Sequence, residues 1–294
     1  MKALSYFLAY PFLFIVARLP FALLYLVSDG IFFLVYRVLG YRKKVVFENL
    51  RNSFPDKSEK EIKALVKNFY KYLCDLILET LKTTAWSEKD VLKRTKFTNP
   101  EVVDALYDKK QSFLVVLGHL GNWEWAGPCF TLNCKHQLYV VYQPLSNPFF
   151  EKLFVKARTK FNTKIIPRKN ALKSIISNRK TINATALVAD QAPTPVKTAY
   201  WTTFLNQDTA VFTGPEKMSK MLDYPVVYMD IVRLKRGYYE VTAKELFSNP
   251  KETNENEITI AFNKVLEQAI IKNPETWLWS HRRWKHKKVE EVNE

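Results

Sequence analysis

The chain has 294 residues, 47% of them hydrophobic, a length and apolar content that suffice for a large core and exclude an intrinsically disordered chain. Three cysteines without CxxC spacing, Cys74, Cys129 and Cys134, argue against a disulfide framework or a zinc site and favour a reducing compartment. With 45 Lys and Arg against 29 Asp and Glu, the formal net charge of +16 predicts an anionic partner: nucleic acid, a membrane surface, an acidic protein or a phosphorylated substrate.

The N-terminal part of the chain is strongly apolar. Between Ala3 and Leu39 the only residues that are neither apolar nor aromatic are Ser5, Pro11, Arg18, Pro20, Ser28, Asp29, Gly30 and Arg37. A signal peptide is disfavoured because the stretch is too long and no small-x-small cleavage site follows. A buried soluble helix would explain the interruption at Arg18 and Pro20 but not the density of large apolar side chains. We therefore expect a membrane-embedded segment that spans once or lies bent in the interface.

Basic residues follow this apolar segment directly. Arg42, Lys43 and Lys44 come after it, whereas only Lys2 precedes it. The positive-inside tendency therefore places the rest of the chain in the cytoplasm. We divide the chain into an N-terminal membrane anchor with a basic cytoplasmic flank, residues 1–44, and one domain, residues 45–294.

The domain begins with helical patterns and continues with alternating strands and helices. Asp56–Tyr72 has apolar residues at helical spacing and a candidate cap, Ser58. Short apolar runs typical of buried strands are Ser112–Leu117, Gln137–Tyr142, Ala184–Ala189 and Val226–Val232, and helical stretches between them include Ala171–Ser177 and Ala261–Ile271. This alternation predicts an α/β fold with a mixed, largely parallel sheet flanked by helices. The turn at Arg236-Gly237 predicts a hairpin at one edge of that sheet.

The most informative motif follows the first apolar strand. The segment 118–125 reads Gly-His-Leu-Gly-Asn-Trp-Glu-Trp, and ligands in open α/β sheets gather at the carboxyl ends of strands. Gly118 and Gly121 permit a tight turn, and Asn122 can cap the next helix. Across such a turn Glu124 could fold back to His119, fix its tautomer and stabilise the imidazolium. A capped turn that holds a core histidine is the structural alternative.

This segment also carries a family resemblance. His119-x4-Glu124 has the form of the H-x4-D/E motif of glycerolipid and lysophospholipid acyltransferases, and its surroundings resemble the bacterial lipid A late acyltransferases, the lauroyl and myristoyl transferase family. Further blocks of this resemblance, in order, are Tyr142-Gln143-Pro144-Leu145-Ser146-Asn147-Pro148, Arg158, Ile166-Pro167-Arg168, Asp190-Gln191 and the block from Pro274 to Lys285. Together with the N-terminal segment, the resemblance covers essentially the whole chain.

Three departures from the family pattern fall in segments expected to face substrate. Gln143 replaces a usual arginine, Asp190-Gln191 is followed by Ala-Pro-Thr-Pro instead of a glycine-containing loop, and Asn162 stands where glycine is usual. These departures leave the identity of the acceptor open, but they do not affect the expected reaction type.

The resemblance implies an acyltransferase with a glycerolipid acyltransferase-like fold. It would move a fatty acyl chain from an acyl thioester to a lipid hydroxyl without metal or cofactor, the thioester being acyl carrier protein or coenzyme A as co-substrate. His119 would be the general base and Glu124 its partner, with backbone N–H groups near Gly121 and Asn122 as candidate donors to the oxyanion.

The resemblance also suggests substrate-binding residues. These are Arg158, Arg168, Asp190, Gln191 and Asn122, since a guanidinium can hold a phosphate of the acceptor or of the donor's phosphopantetheine arm. Solvated surface charge is the alternative for each arginine, and a structural strand-end turn is the alternative for Asp190-Gln191. Trp277, Trp279 and Trp284 predict either an interfacial belt or, for the first two, the buried face of a last strand. The basic residues near them, with Lys287 and Lys288, are expected to face anionic headgroups or the carrier protein.

These inferences give the positive charge a specific meaning. We expect an acidic acyl carrier protein as donor, a lipid A precursor as acceptor, an anionic membrane surface and a location on the cytoplasmic face of the bacterial inner membrane. Other lipid acceptors, such as a lysophospholipid, an aminolipid or a lipidic pigment, remain alternatives, as does a non-catalytic membrane scaffold. A basic nucleic-acid-binding protein is remote, because no recognised module motif is present and that function would leave the apolar N-terminus unexplained.

Overall fold

The computed structural model describes residues 2–288, and their side chains from residue 6 onward. The N-terminal segment forms two helices, α1 (Lys2–Arg18) and α2 (Phe21–Phe32), and α2 continues as a π-helix over Phe33–Leu39. The break falls at Pro20, as the interruption in the sequence predicts. Phe21–Leu39 is long and apolar enough to cross a membrane, and only 11% of it is buried against the rest of the protein.

Two helices link this segment to the sheet. These are α3 (Lys43–Ser53) and α4 (Glu59–Lys82). Ser58 caps α4 as predicted: its hydroxyl accepts a hydrogen bond from the Glu61 N–H, while the Glu61 carboxylate accepts one from the Ser58 N–H. The helix continues ten residues beyond the predicted end at Tyr72, because its buried face runs on through Leu76 and Glu79.

The remaining elements form a seven-stranded sheet, a separate two-stranded hairpin and the helices that cover them. In chain order they are α5 (Glu88–Arg94), β1 (Thr95–Phe97), α6 (Pro100–Asp108), β2 (Phe113–Leu117), α7 (Trp123–Asn133), β3 (Gln137–Tyr142), α8 (Pro148–Thr159), β4 (Lys164–Pro167), α9 (Ala171–Asn178), β5 (Asn183–Val188), β6 (Tyr200–Phe204), β7 (Gln207–Val211), α10 (Gly214–Leu222), β8 (Val226–Lys235), β9 (Tyr238–Phe247) and α11 (Glu257–Lys272). The order in the large sheet is β1-β9-β8-β2-β5-β3-β4, and only β8 and β9 pair antiparallel. The predicted α/β class and mixed, largely parallel sheet are confirmed.

The position of the predicted hairpin differs from the expectation. β8 and β9 are joined at Arg236-Gly237 as predicted, but β9 does not form the edge of the sheet. The short strand β1 pairs parallel to it, with Thr95 opposite Tyr239. Only three residues long, β1 carries no distinct apolar alternation, so the sequence pattern does not reveal it.

The central strand β2 is buried on both faces and separates two apolar clusters. Val115 and Leu117 pack in one cluster with Trp125 of α7, whereas Val116 packs in the other with residues of α4 and α11 such as Leu266. Because β2 lies between β5 and β8, its carboxyl end opens at the middle of the sheet edge. This topology places the segment after β2 in the interior of the structure rather than at its rim.

The N-terminal helix α2 is joined to the domain by a buried polar network. The Glu79 carboxylate accepts hydrogen bonds from the Tyr25 hydroxyl at 2.8 Å, the Tyr239 hydroxyl at 2.7 Å and the Asn122 amide at 2.9 Å. Asp75, one turn earlier on α4, accepts from the Ser28 hydroxyl at 2.6 Å. In the same region, the guanidinium groups of Arg233 and Arg236 pair with Asp75, and Arg236 also pairs with Asp29.

Candidate active site

The segment after β2 turns sharply before α7 begins. Gly121 has φ +57°, and a Cβ at this position would lie 2.3 Å from the backbone oxygen of Ile231, so both the conformation and the space require glycine. The Gly121 N–H donates to the Thr276 carbonyl at 3.0 Å, and its carbonyl accepts from the Tyr72 hydroxyl. These contacts fix the turn that carries His119.

A buried aspartate holds the His119 imidazole. Nδ1 of His119 donates to Oδ1 of Asp190 at 2.6 Å, and the backbone N–H of His119 donates to Oδ2 at 2.8 Å. Trp277 Nε1 also donates to Oδ2, at 2.7 Å, and the imidazole and the Trp123 ring pack in a T-shaped arrangement. Because Nδ1–H donates to the carboxylate, Nε2 is left as the basic nitrogen of the neutral ring.

The same contacts keep Asp190 ionised. Burial raises the pKa of this carboxyl, but the interaction with His119 and the hydrogen bonds from His119 and Trp277 outweigh it and lower the pKa to about 2. An ionised aspartate on Nδ1 fixes the tautomer of the ring and would stabilise an imidazolium formed at Nε2.

Glu124 does not occupy the position expected for it. Its carboxylate accepts two hydrogen bonds from Arg158, from Nε at 2.9 Å and from Nη2 at 2.6 Å, and among the described residues no hydrogen bond joins it to His119. The expectation that Glu124 folds back to the imidazole is therefore not met in this structure. Since α7 begins at Trp123, it directs Glu124 toward α8, which carries Arg158, while Asp190 reaches His119 from the end of the neighbouring strand β5.

His119 and the Glu124–Arg158 pair border one cavity of about 490 Å³, which we call the central cavity. His119, Glu124, Arg158, Arg168 and Gln191 line its polar part. Its remaining walls are largely apolar and come from the sheet face that packs against α7, from α7 itself and from other residues that include Ala171, Phe212 and Met218. A size of 300–1,000 Å³ and apolar walls with a few convergent polar groups are typical of a small-molecule site.

The other predicted site residues divide between the central cavity and the protein interior. Arg168 is exposed, and Gln191 places its side-chain nitrogen 3.4 Å from His119 Nε2.

Asn122 is completely buried. Its side chain accepts from the Trp125 N–H and donates to Glu79, which confirms the predicted helix cap and leaves no surface for a substrate. The Gly121 N–H donates to Thr276, so it does not serve as the expected oxyanion donor.

Two tryptophans of the block from Pro274 to Lys285 pack in the protein interior. Trp277 and Trp279 are 2% and 0% exposed, so the interfacial belt is wrong for both. They form no strand either; Trp277 makes a single bridge to Leu120. Arg283 is expected to face anionic headgroups or the carrier protein, but it is buried and donates to the Ala210 carbonyl. Lys287 and Lys288 are exposed.

His281 of this block supports the loop that follows Asp190. Its Nε2 accepts a hydrogen bond from the Ala192 N–H at 3.2 Å, which requires the neutral ring. Burial lowers the pKa of His281 to about 4.

This pKa makes stability depend on pH. The unfolded chain takes up a proton near pH 6.5, but the folded chain does so only near pH 4, so stability should fall as the pH drops from about 6.5 toward 4. We expect a loss of up to about 1 kcal/mol after solvent screening, measured as a lower unfolding temperature at pH 5 than at pH 7. In His281→Gln this part of the pH dependence should disappear; an unchanged slope would contradict the assignment.

Two features of the site escape sequence reasoning. Asp190 is predicted as a substrate-binding residue and not as the partner of His119, although the adjacency of two parallel strands whose carboxyl ends meet at one sheet edge offers a signal for that partnership. Glu79 lies within an amphipathic helix, 43 residues before Asn122, and nothing in the local pattern indicates the contact between them.

The chain is similar to known proteins over nearly its whole length. The chain matches the bacterial lipid A biosynthesis acyltransferase family over residues 1–286. It is 28% identical to the lipid A biosynthesis lauroyltransferase of Escherichia coli over 93% of its own length and 89% of that protein. It is 24% identical to the E. coli lipid A biosynthesis palmitoleoyltransferase over 93% and 89%, and 24% identical to a Haemophilus influenzae lipid A biosynthesis acyltransferase over 91% and 86%. Since the match spans nearly the whole chain, including the segment with His119 and Asp190, this protein belongs to the bacterial lipid A biosynthesis acyltransferase family.

Proposed function

We propose that the protein transfers a fatty acyl chain from an acyl thioester to a hydroxyl of a lipid A precursor. The observation that carries this proposal is the His119–Asp190 pair at one end of a cavity with mostly apolar walls. A base beside an apolar cavity suits a reaction between a hydroxyl and a carbonyl that bears a long hydrocarbon chain. The lauroyl and palmitoleoyl transferase names of two relatives support an acyl substrate of this kind.

His119 acts as the general base in the proposed reaction. Nε2 takes the proton of the acceptor hydroxyl while that oxygen attacks the thioester carbonyl, and Asp190 stabilises the imidazolium. When the tetrahedral intermediate collapses, the carbon–sulfur bond breaks and the imidazolium returns its proton to the leaving thiolate. These steps use no metal and no cofactor besides the thioester co-substrate.

We assign Glu124 and Arg158 to substrate positioning. Two hydrogen bonds to Glu124 fix the guanidinium at the wall of the central cavity, and a guanidinium has five N–H donors. Arg158 therefore has donors to direct at a phosphate of either substrate or at the developing oxyanion. Exposed Arg168 provides a second cation that lines the same cavity.

We infer that the enzyme works at the cytoplasmic face of the inner membrane with acyl carrier protein as donor. The apolar helix over Phe21–Leu39 and the basic flank that follows it support this orientation. A chain with a net charge of +16 would attract an acidic carrier protein at long range. Nucleic acid has no role in this proposal.

Transfer from a labelled donor tests the function. Purified full-length protein with acyl carrier protein thioester and a lipid A precursor should add one acyl chain to the precursor, detected by mass spectrometry. Transfer to a lysophospholipid but not to the precursor would replace the acceptor and keep the chemistry. Absence of transfer to any lipid hydroxyl would reject the proposal in favour of a non-catalytic scaffold.

Salt dependence distinguishes the donors. If the protein charge steers the carrier protein, raising ionic strength should lower kcat/KM for acyl carrier protein thioester by about tenfold or more, and lower it less for acyl coenzyme A. Equal salt dependence for both donors, or higher activity with coenzyme A at all salt concentrations, would contradict the carrier protein assignment.

A further inference from the structure

The central cavity extends along the strands, away from His119. His119 lies just beyond the carboxyl end of β2, whereas Leu138 is the second residue of β3 and Thr163 immediately precedes β4. All three line the central cavity. Four residue rises separate Leu138 from the end of β3, or about 13 Å at ~3.3 Å per residue. The cavity is thus a slot that begins at the proposed base and ends near the opposite edge of the sheet.

Apolar side chains form the middle of this slot. On the sheet side they are Val115, Leu117, Val140, Ala186, Val188 and Met229. The opposite wall is α7, with Ala126 and Phe130. Such walls bind hydrocarbon and provide few partners for polar atoms.

Gly127 keeps the far part of the slot open. It lies within α7, where glycine is less stable than alanine, and its backbone has no left-handed strain that would require glycine. A Cβ built on it would have one neighbouring atom within contact range, Thr163 Oγ1 at 4.0 Å. Any side chain at position 127 would therefore enter the slot.

Thr163 closes the slot at this end. Its side chain is 4% exposed, and its hydroxyl has no hydrogen-bond partner among the described residues. Thr163 lines the central cavity on one side and, on the other, a surface depression that it shares with Tyr139, Asn162 and Lys164. It is therefore part of the wall between the slot and solvent.

We propose that Gly127 and Thr163 together set the length of the acyl chain that the enzyme transfers. This inference rests on the proposed acyl transfer and assigns its chain-length selectivity to two residues. With the thioester carbonyl beside His119, the terminal methyl group of the preferred chain lies against Thr163, next to the space that Gly127 leaves. A longer chain meets the wall, and a shorter chain leaves apolar surface without contacts.

Two substitutions should move the preference in opposite directions. Gly127→Leu fills the end of the slot and should shift the preferred donor to a chain shorter by about two to four carbons. Thr163→Gly opens the wall and should shift it to a longer chain. Because one methylene in an apolar pocket is worth roughly 10–200-fold in kcat/KM, the wild-type donor should lose at least about tenfold in Gly127→Leu.

The experiment measures kcat/KM of full-length enzyme for saturated acyl thioesters of about 8 to 18 carbons. Thr163→Val is the matched control, since it keeps the volume and removes the hydroxyl, and its optimum should equal that of wild type. Gly127→Ala provides the smaller shift if leucine prevents folding, which thermal unfolding would reveal.

The outcomes separate this inference from the proposed function. If wild type transfers acyl chains but Gly127→Ala, Gly127→Leu and Thr163→Gly keep its optimum, the chain end lies elsewhere and this inference is wrong. If wild type transfers no chain of any length, the proposed function itself is wrong. A shorter preferred chain in the Gly127 variants and a longer one in Thr163→Gly support the inference.

Discussion

Replacing His119 by alanine should lower kcat for acyl transfer by about 10²–10⁴-fold, the usual contribution of a general base. The substitution removes Nε2, the atom proposed to accept the hydroxyl proton, and leaves the apolar walls of the central cavity intact. KM for the acyl donor should change little, because the hydrocarbon chain and the phosphopantetheine arm of the donor are expected to bind elsewhere in the cavity. Initial rates of labelled chain transfer by wild type and variant in the same membrane preparation would measure the effect.

His136 is the matched control for this substitution. It is buried, whereas His119 is half-buried; its ring nitrogen contacts the backbone oxygen of Gln111 at 3.0 Å, and it precedes β3 near the amino-terminal ends of the strands. His136→Ala should lower the unfolding temperature and leave the kcat of the folded protein near that of wild type. Wild-type kcat in His119→Ala would reject the catalytic assignment.

The second large effect is expected for Asp190→Asn. Asparagine preserves the shape of the side chain but removes the negative charge that receives Nδ1–H and would stabilise the imidazolium. Exchanging the aspartate partner of a catalytic histidine for asparagine lowers kcat by about 10⁴-fold in serine proteases, and we expect a loss of about 10²–10⁴-fold here. Because Asp190 is buried behind the ring, the loss should fall on kcat rather than on KM.

Two further variants make this prediction specific. Asp230→Asn alters a half-buried carboxylate that accepts a hydrogen bond from the Ile231 N–H, and it should leave kcat unchanged. Glu124→Gln should act mainly through Arg158 and raise the KM of a substrate. If Glu124→Gln instead lowers kcat as much as His119→Ala while Asp190→Asn does not, then Glu124 is the functional partner of the imidazole.

The sequence predicts the elements of this fold well where local physics determines them. β2 and β3 are continuous apolar runs between polar turns, and Ser58 with Glu61 forms a capping box within four residues. The prediction that the hairpin lies at the edge of the sheet is wrong, because β9 pairs with β1, whose residues lie more than 140 positions away in the sequence. A three-residue strand carries too little pattern to predict that neighbour.

The candidate site could be located from the sequence, but its partnerships could not. The segment around His119 is recognisable because glycines and a helix cap follow a buried strand. Which carboxylate reaches the imidazole depends on how α7 leaves the turn, and this direction is set by the contacts of Gly121 with Ile231 and Thr276. Similarly, Arg283 lies in a basic cluster that suggests exposed cations, and only the folded chain shows that its guanidinium donates to a buried carbonyl.

The network around Glu79 connects the apolar N-terminal helix to the candidate active site. Two hydrogen bonds, Tyr25 to Glu79 and Asn122 to Glu79, separate that helix from the residue that caps α7. Cutting the chain at residue 44 would remove Tyr25 and Ser28 and leave buried Glu79 and Asp75 with one donor fewer each, at a cost of about 1–3 kcal/mol for each lost hydrogen bond. The helix proposed to attach the protein to the membrane and the residue that caps α7 thus donate to the same carboxylate, so we expect a shift of this helix in the bilayer to alter turnover as well as location.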